Sequence, residues 1–176
     1  METATLAGGC FWCTEAIFKR IKGVVTVTSG YSGGELKNPT YEKVSEGKTN
    51  HAESIQIKFD PKVVSFEKIL EIFWHLIDPT TLNQQGADVG TQYRSAIFYH
   101  NDIQKKIAQD SKEKADKSGM YAASIVTKIE PFEAFYPAEE YHQNYFERNS
   151  SQPYCRLIIN PKIEKLIKGF GSVVKN

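Results

Sequence analysis

Long apolar runs, internal repeats and low-complexity tracts are all missing from this 176-residue chain. No stretch approaches the roughly 18 apolar residues of a membrane-spanning helix, and the start, METATLAGGC, has no basic cluster. The expectation is a soluble, cytoplasmic protein. An excess of one charge is missing too. With 22 Lys+Arg against 21 Asp+Glu the formal charge is +1, which gives no broad attraction to nucleic acid or to an anionic membrane. The basic run QKKIAQDSKEKADKSG is interleaved with acids and reads as a solvated helix face. Cysteine is scarce: three residues, an odd number, exclude a purely structural disulfide framework and leave at least one thiol to explain. Without a Gly/Ser linker, and at this length, residues 1–176 read as one catalytic domain with one core.

The apolar pattern supplies the elements. TATLA is a strand entering Gly8-Gly9, and a short helix from Cys13 is stopped by Gly23. VVTVTS is β-branched and strand-like, and ESIQIKFD alternates Ile55, Ile57 and Phe59 against polar neighbours, the period of a half-buried strand. SFEKILEIFWHLI repeats its apolar residues at three and four, which makes one helix face apolar. SAIFYH, a polar helix over 102–118 and the strand ASIVTKIE follow. Residues 30–51 and 78–94 read as long, turn-rich connections, candidates for functional surface. The aromatic tail from Pro131 to Cys155 is expected to wrap the domain. RLIINPKIEKLIKGF is expected to give a short strand, then a helix with Asn160 as cap and Pro161 in its first turn. The order predicts an α+β fold: a two-layer α/β sandwich with a mainly antiparallel sheet and additional wrapping segments.

GGCFWCTEAIF concentrates the chemistry. Two cysteines three residues apart are compatible with a redox pair, half of a metal site, or a nucleophile beside an aromatic pocket. Zinc normally takes four ligands in local pairs, whereas Cys155 has no CxxC partner and His51, His75, His100 and His142 are scattered singly, so no metal is expected. His75 and His100 read as structural or surface residues. A cysteine at a helix start meets unpaired backbone N–H groups and positive dipole potential, which lower its pKa. That favours a reactive thiol, yet a thioredoxin-like disulfide exchanger needs neither the aromatic pair nor two long polar loops.

GCFWCTEAIF resembles the active-site segment of the A-class peptide methionine sulfoxide reductases. The likeness continues in order through SGYSGG, PTYEKVSEG, NHAESIQIKFD, DPTTLNQQGADVGTQYRS, FYPAEEYHQNYF and PYC. It implies a reductase for the S epimer of methionine sulfoxide, free or within proteins, on a ferredoxin-like α/β core. Cys10 matches the nucleophile, Phe11 and Trp12 the pocket for the substrate methyl group, and Glu53 the acid. Tyr41, Asp88, Tyr93 and Tyr145 match the polar shell, with His142 near it. Cys13 stands where many members have glycine, and Cys155 matches the source of a resolving cysteine, so two resolving candidates compete. A non-enzymatic protein-binding module and a disulfide exchanger are the alternatives.

The chemistry implied is coherent. A sulfoxide sulfur is electrophilic but hydroxide leaves poorly, so a thiolate attacking it needs a proton donor at the oxygen. Partial burial would raise Glu53 into that role, while Tyr41 and Tyr93 hydrogen-bond the oxygen as charge develops. An aromatic slot suits the methyl and thioether parts. Cys10 would be left as a sulfenic acid, condense with a second thiol, and be restored by a dithiol reductant such as thioredoxin, with no cofactor.

Overall fold

The computed structural model describes residues 1–176. Strand β1 (Glu2–Ala7) leads into helix α1 (Phe11–Phe18), strand β2 (Val24–Ser32), a short helix α2 (Tyr41–Ser45) and strand β3 (Ala52–Phe59). Helix α3 (Phe66–Leu76), a two-residue hairpin β4 (Gln84–Gln85) and β5 (Asp88–Val89), strand β6 (Ala96–Tyr99) and helix α4 (Asp102–Lys117) follow. The tail holds strands β7 (Lys128–Pro131) and β8 (Phe135–Pro137), then helices α5 (Tyr145–Arg148) and α6 (Asn160–Phe170). Six strands form one sheet in the order β7-β6-β1-β3-β2-β8. Every pairing is antiparallel except β6 with β7. No helix is long and apolar enough to cross a membrane.

Alternation along the central strands divides the sheet into two faces. Ala4, Leu6, Ile55, Ile57 and Phe59 enter the main core with Ile69, Leu70 and Phe73 of α3, while Ala7, Ala52, Ala96 and Phe98 form a smaller cluster. Ser65 caps α3, its hydroxyl accepting from the Lys68 N–H at 3.1 Å, and Asn101 caps α4 in the same way through Gln104 at 2.9 Å. Each satisfies a donor that the first turn leaves unpaired.

Several elements differ from the sequence reading. The 30–51 connection contains α2, capped by Thr40, and the 123–130 strand shrinks to β7. RLII is not a strand: Cys155–Ile159 is a π-helical turn running directly into α6. The buried residues there are Cys155, Ile159, Ile163 and Leu166, a helical spacing that begins at the cysteine rather than after it. Asn160 is therefore already helical, with φ −53° and ψ −48°, and caps nothing. Pro161, which lacks an N–H, follows the point where the wide turn gives way to α-helix.

Candidate active site

The Gly8-Gly9 turn sets Cys10 at the head of α1. Gly9 has φ +84°, and a Cβ there would lie 2.6 Å from Gln85 Cγ; one on Gly8 would lie 2.9 Å from Ile77 Cγ2. Only glycine allows this close approach. Cys10 occupies the N-cap position without a side-chain hydrogen bond to the helix, and its carbonyl accepts from the Cys13 N–H at 3.0 Å. The next free donor, the Phe11 N–H, points across to β3 and donates to Glu53 Oε2 at 3.1 Å. Glu53, 2% exposed, thus does for the helix what a capping side chain normally does.

That single hydrogen bond does not offset the loss of water. Burial, with smaller help from Asp88 and Cys13, raises the Glu53 carboxyl from 4.5 to about 8. It is protonated at neutral pH. Tyr41 and Tyr93 are raised chiefly by burial and next by the nearby Glu53, with Cys10 a further contributor to both. Both phenols remain protonated, close enough to feel the charge of the same carboxyl and sulfur.

The aromatic wall is built from α1 and the tail. Phe11 is fully buried between Tyr31, at 5.7 Å between ring centroids, and His142, at 5.1 Å. Trp12 lies flat against Tyr145, with centroids 3.7 Å apart and planes 6° apart. Its indole N–H donates to His142 Nδ1 at 3.1 Å. Because Nδ1 accepts, the imidazole carries its proton on Nε2, an atom buried without a protein partner. Burial holds His142 below its ordinary pKa, consistent with a neutral ring.

Polar pins fix the tail that supplies this wall. Gln143 is clamped on β2, its carbonyl accepting from Ser29 N–H at 3.0 Å and its amide donating to the Ser29 carbonyl at 2.9 Å. The Asn144 N–H donates to the buried Glu15 at 2.9 Å. Glu139 accepts from the Tyr31 hydroxyl and the Tyr41 N–H, both at 3.0 Å, joining β2, α2 and the tail beneath the site.

All three cysteines are free and buried and share one small apolar cluster with Ala16, Ile159 and Ile163. The expectation that the helix start lowers the Cys10 pKa is not met. Burial pushes Cys10 well up, with its hydrogen bond to Cys13 adding to the effect. Cys13 takes the lowering instead: the Cys10 hydrogen bond, followed by the Lys162 charge and the Tyr154 hydroxyl, outweighs burial and brings it to about 7. The pair therefore loses its first proton near neutrality and holds the second tightly. Burial also raises Cys155.

Asp88 stands on the Cys13 side, where it accepts from the Tyr154 hydroxyl at 2.8 Å. The Tyr154 oxygen is 3.5 Å from Cys13 Sγ, and its ring meets Trp12 edge-on at 5.8 Å. A groove of about 460 Å³ opens here, lined among others by Cys10, Gln85, Asp88, Tyr154, Ile158 and Lys162. A second cavity, of about 360 Å³, lies between α3 and α4 beside Trp74, Ser111 and Met120, away from the cysteines. The structure thus brings Phe11, Trp12, Tyr41, Glu53, Tyr93, His142 and Tyr145 around Cys10. Sequence reasoning missed Tyr154, Glu139, Tyr31 and Lys162; the tyrosines in PYC and SGYSGG and the first glutamate of YPAEEY were the visible signals.

A helix-start dithiol with a protonated carboxylic acid against its first turn offers the groups that a thiol-dependent reductase needs. The family model for peptide methionine sulfoxide reductase matches residues 2–172. A peptide methionine sulfoxide reductase MsrA from Saccharolobus solfataricus is 54% identical over 175 residues, covering 99% of this chain and 98% of that one. Among solved structures, Mxr1 from Saccharomyces cerevisiae in reduced form is similar with a TM-score of 0.77 and 39% identity, covering 88% of both chains. Mxr1 in complex with Trx2 is similar with a TM-score of 0.54 and 32% identity, covering 82% of this chain and 84% of that one. The chain belongs to the peptide methionine sulfoxide reductase family. It is an enzyme that reduces methionine sulfoxide with thiols.

Proposed function

We propose that Cys10 attacks the sulfur of methionine-S-sulfoxide, free or in proteins, while Glu53 donates the proton that lets the oxygen leave. The observation that carries this reading is a carboxylic acid kept protonated to about pH 8 while hydrogen-bonded to the N–H of the residue after Cys10. Tyr41 and Tyr93 steady the oxygen as charge develops. Phe11 and Trp12, backed by His142 and Tyr145, receive the methyl group. A slot and a set of oxygen donors at fixed positions admit one epimer. The net first step is Cys10 thiol plus sulfoxide giving Cys10 sulfenic acid plus methionine.

Cys13 then condenses with the sulfenic acid to give a Cys10–Cys13 disulfide and water. Cys13 follows Cys10 by three residues on the first turn of α1 and carries the lowered pKa of the pair, whereas burial raises the Cys155 thiol. A thioredoxin-type dithiol restores the pair by exchange. The yeast relative captured with Trx2 supports that partner. A reducing compartment, the cytosol, suits three unpaired thiols.

We further assign the core as ferredoxin-like, with all 176 residues acting as one catalytic domain. The run β1-α1-β2-β3-α3-β6 with strand order β6-β1-β3-β2 supports this. The deciding experiment is an epimer-resolved assay with a working dithiol, followed by non-reducing peptide mapping. Loss of the S form alone, with a Cys10–Cys13 peptide, is expected. Absence of methionine formation would refute the catalytic assignment, and a dominant Cys10–Cys155 peptide would move the resolving role.

A further inference from the structure

Cys13 has a difficulty that its resting pKa conceals. The largest contribution lowering it is the hydrogen bond with Cys10. Oxidation of Cys10 to a sulfenic acid consumes that S–H donor. When Cys13 must act as nucleophile, the S–H that favoured its thiolate has been replaced by the S–OH group that it attacks and that must leave. A thiol attacking at neutral pH needs somewhere to put its proton.

Two contacts supply a route. The Tyr154 oxygen lies 3.5 Å from Cys13 Sγ, and its hydroxyl donates to Asp88 Oδ2 at 2.8 Å. While Cys13 carries its proton, the Tyr154 hydroxyl stays on the carboxylate and the phenol oxygen accepts from the Cys13 S–H; toward a Cys13 thiolate the same hydroxyl donates instead, which is how it lowers that thiol. Burial raises the Tyr154 pKa strongly, so this phenol does not store a negative charge; it can only pass a proton on. Asp88 and Tyr154 also line the groove that reaches Cys10, which gives the carboxyl a path for exchange with solvent.

We propose that Tyr154 and Asp88 form a proton relay for the resolving thiol: as Cys13 attacks the Cys10 sulfenic acid, its proton moves to Tyr154 while the Tyr154 proton moves to Asp88. The Cys13–Cys10 S–S bond forms and the Cys10 S–O bond breaks. The departing hydroxide takes a proton from solvent in the groove and leaves as water, and Asp88 returns one proton to the same solvent, so the protons balance. The net change is sulfenic acid plus thiol giving disulfide plus water, with no external oxidant or reductant. Tyr154 touches a reacting atom and is catalytic in this step; Asp88 acts through it. The inference rests on Cys13 being the resolving thiol.

The test is a single turnover of the full chain with N-acetylmethionine sulfoxide at pH 6 and pH 9. The methionine burst, the lifetime of dimedone-trappable sulfenic acid and the Cys10–Cys13 peptide are followed together. Tyr154→Phe and Asp88→Asn, both near-isosteric, should slow disulfide formation relative to the burst by at least about tenfold at pH 6. The gap should narrow at pH 9, where a larger share of Cys13 is already thiolate. A deficit of equal size at both pH values would mean that the two residues only position Cys13, and would overturn the relay, as would no deficit at pH 6. A Cys10–Cys155 peptide in the unmutated protein would instead remove the resolving assignment on which the relay rests.

Discussion

The two ends of the CxxC turn sit in opposite surroundings. Cys10 borders the groove on one side and meets a drier one on the other: Glu53, 2% exposed, and the half-buried Tyr41 and Tyr93 stand there, and every shift among these groups favours the neutral form. Cys13, fewer than four residues away, faces Tyr154, Asp88 and Lys162, and is lowered to about 7. Three residues of helix rotate a side chain by most of a turn, enough to give two identical thiols different neighbours. The dry side suits delivery of a proton to a leaving oxygen, and the polar side suits removal of one from a thiol. The two half-reactions need these opposite services.

Removing the acid tests the dry side hardest. Glu53→Gln keeps the volume and an acceptor for the Phe11 N–H but has no acidic proton, so single-turnover methionine formation should fall by about 10²- to 10⁴-fold. Its stability should move the other way. A carboxyl raised from 4.5 to about 8 in the folded state binds more protons folded than unfolded, so its contribution is intact below 4.5 and is lost as pH rises through 8. Relative to the parent, Glu53→Gln should gain stability over that window, by on the order of a few kcal/mol at most. Denaturant midpoints at pH 4 and pH 9 check it; a variant less stable at pH 9 would contradict the burial account.

The pH profile sharpens the same contrast. The first proton of the dithiol leaves at about 7 and that of Glu53 at about 8, while chemistry needs one thiolate together with the protonated acid. Sulfoxide reduction in single turnover should therefore give a narrow bell, rising through 7 and falling about tenfold per unit above 8. Cys13→Ser should move the rising limb upward, because a buried Cys10 then has no neighbour to share its charge. A limb that stays in place would mean that Cys10 ionises independently.

What the sequence made legible follows the same division. The dry side was readable because GCFWC, NHAES and YHQNY hold its parts in short motifs, and the strand and helix periods located β3 and α3. The polar side was not. Lys162 is one lysine among several on an amphipathic helix, and the contact of Tyr154 with Cys13 is a tertiary one across 141 residues. Reading RLII as a strand separated residues that the π-helical turn keeps on one face. The Cys10 pKa failed for another reason: an N-cap environment is visible in sequence, but the burial that overrides it depends on the tail folding back.

Trp12→Ala is the next smaller effect. The indole is held by Tyr145 and His142, so truncation removes a fixed aromatic wall while leaving the Glu53 contact to the Phe11 backbone. Sulfoxide kcat/KM should fall by about ten- to a hundredfold, the scale of a lost sulfur–aromatic contact plus buried area. Oxidation of Cys10 by peroxide, which uses no methyl slot, should change much less. Equal losses in both would mean that the wall supports the thiol itself.

The smallest expected effect belongs to Lys162, and it separates charge from hydrogen bonding on the polar side. Its ammonium ranks behind the Cys10 hydrogen bond among the influences lowering Cys13, and Lys162 is only half-buried on α6, so solvent screens it. Lys162→Gln keeps most of the side-chain length and removes the charge. Cys13 should titrate higher, and disulfide formation at pH 6 should slow by about two- to fivefold, the scale of an exposed charge interaction. Added salt should reduce the difference, because a Coulombic influence of this kind weakens as the Debye length shrinks. The Tyr154→Phe deficit should persist in the same salt, since a proton relay at hydrogen-bonding distance is not screened. If salt abolished both deficits alike, Tyr154 would be acting on Cys13 through the local field and not by carrying its proton.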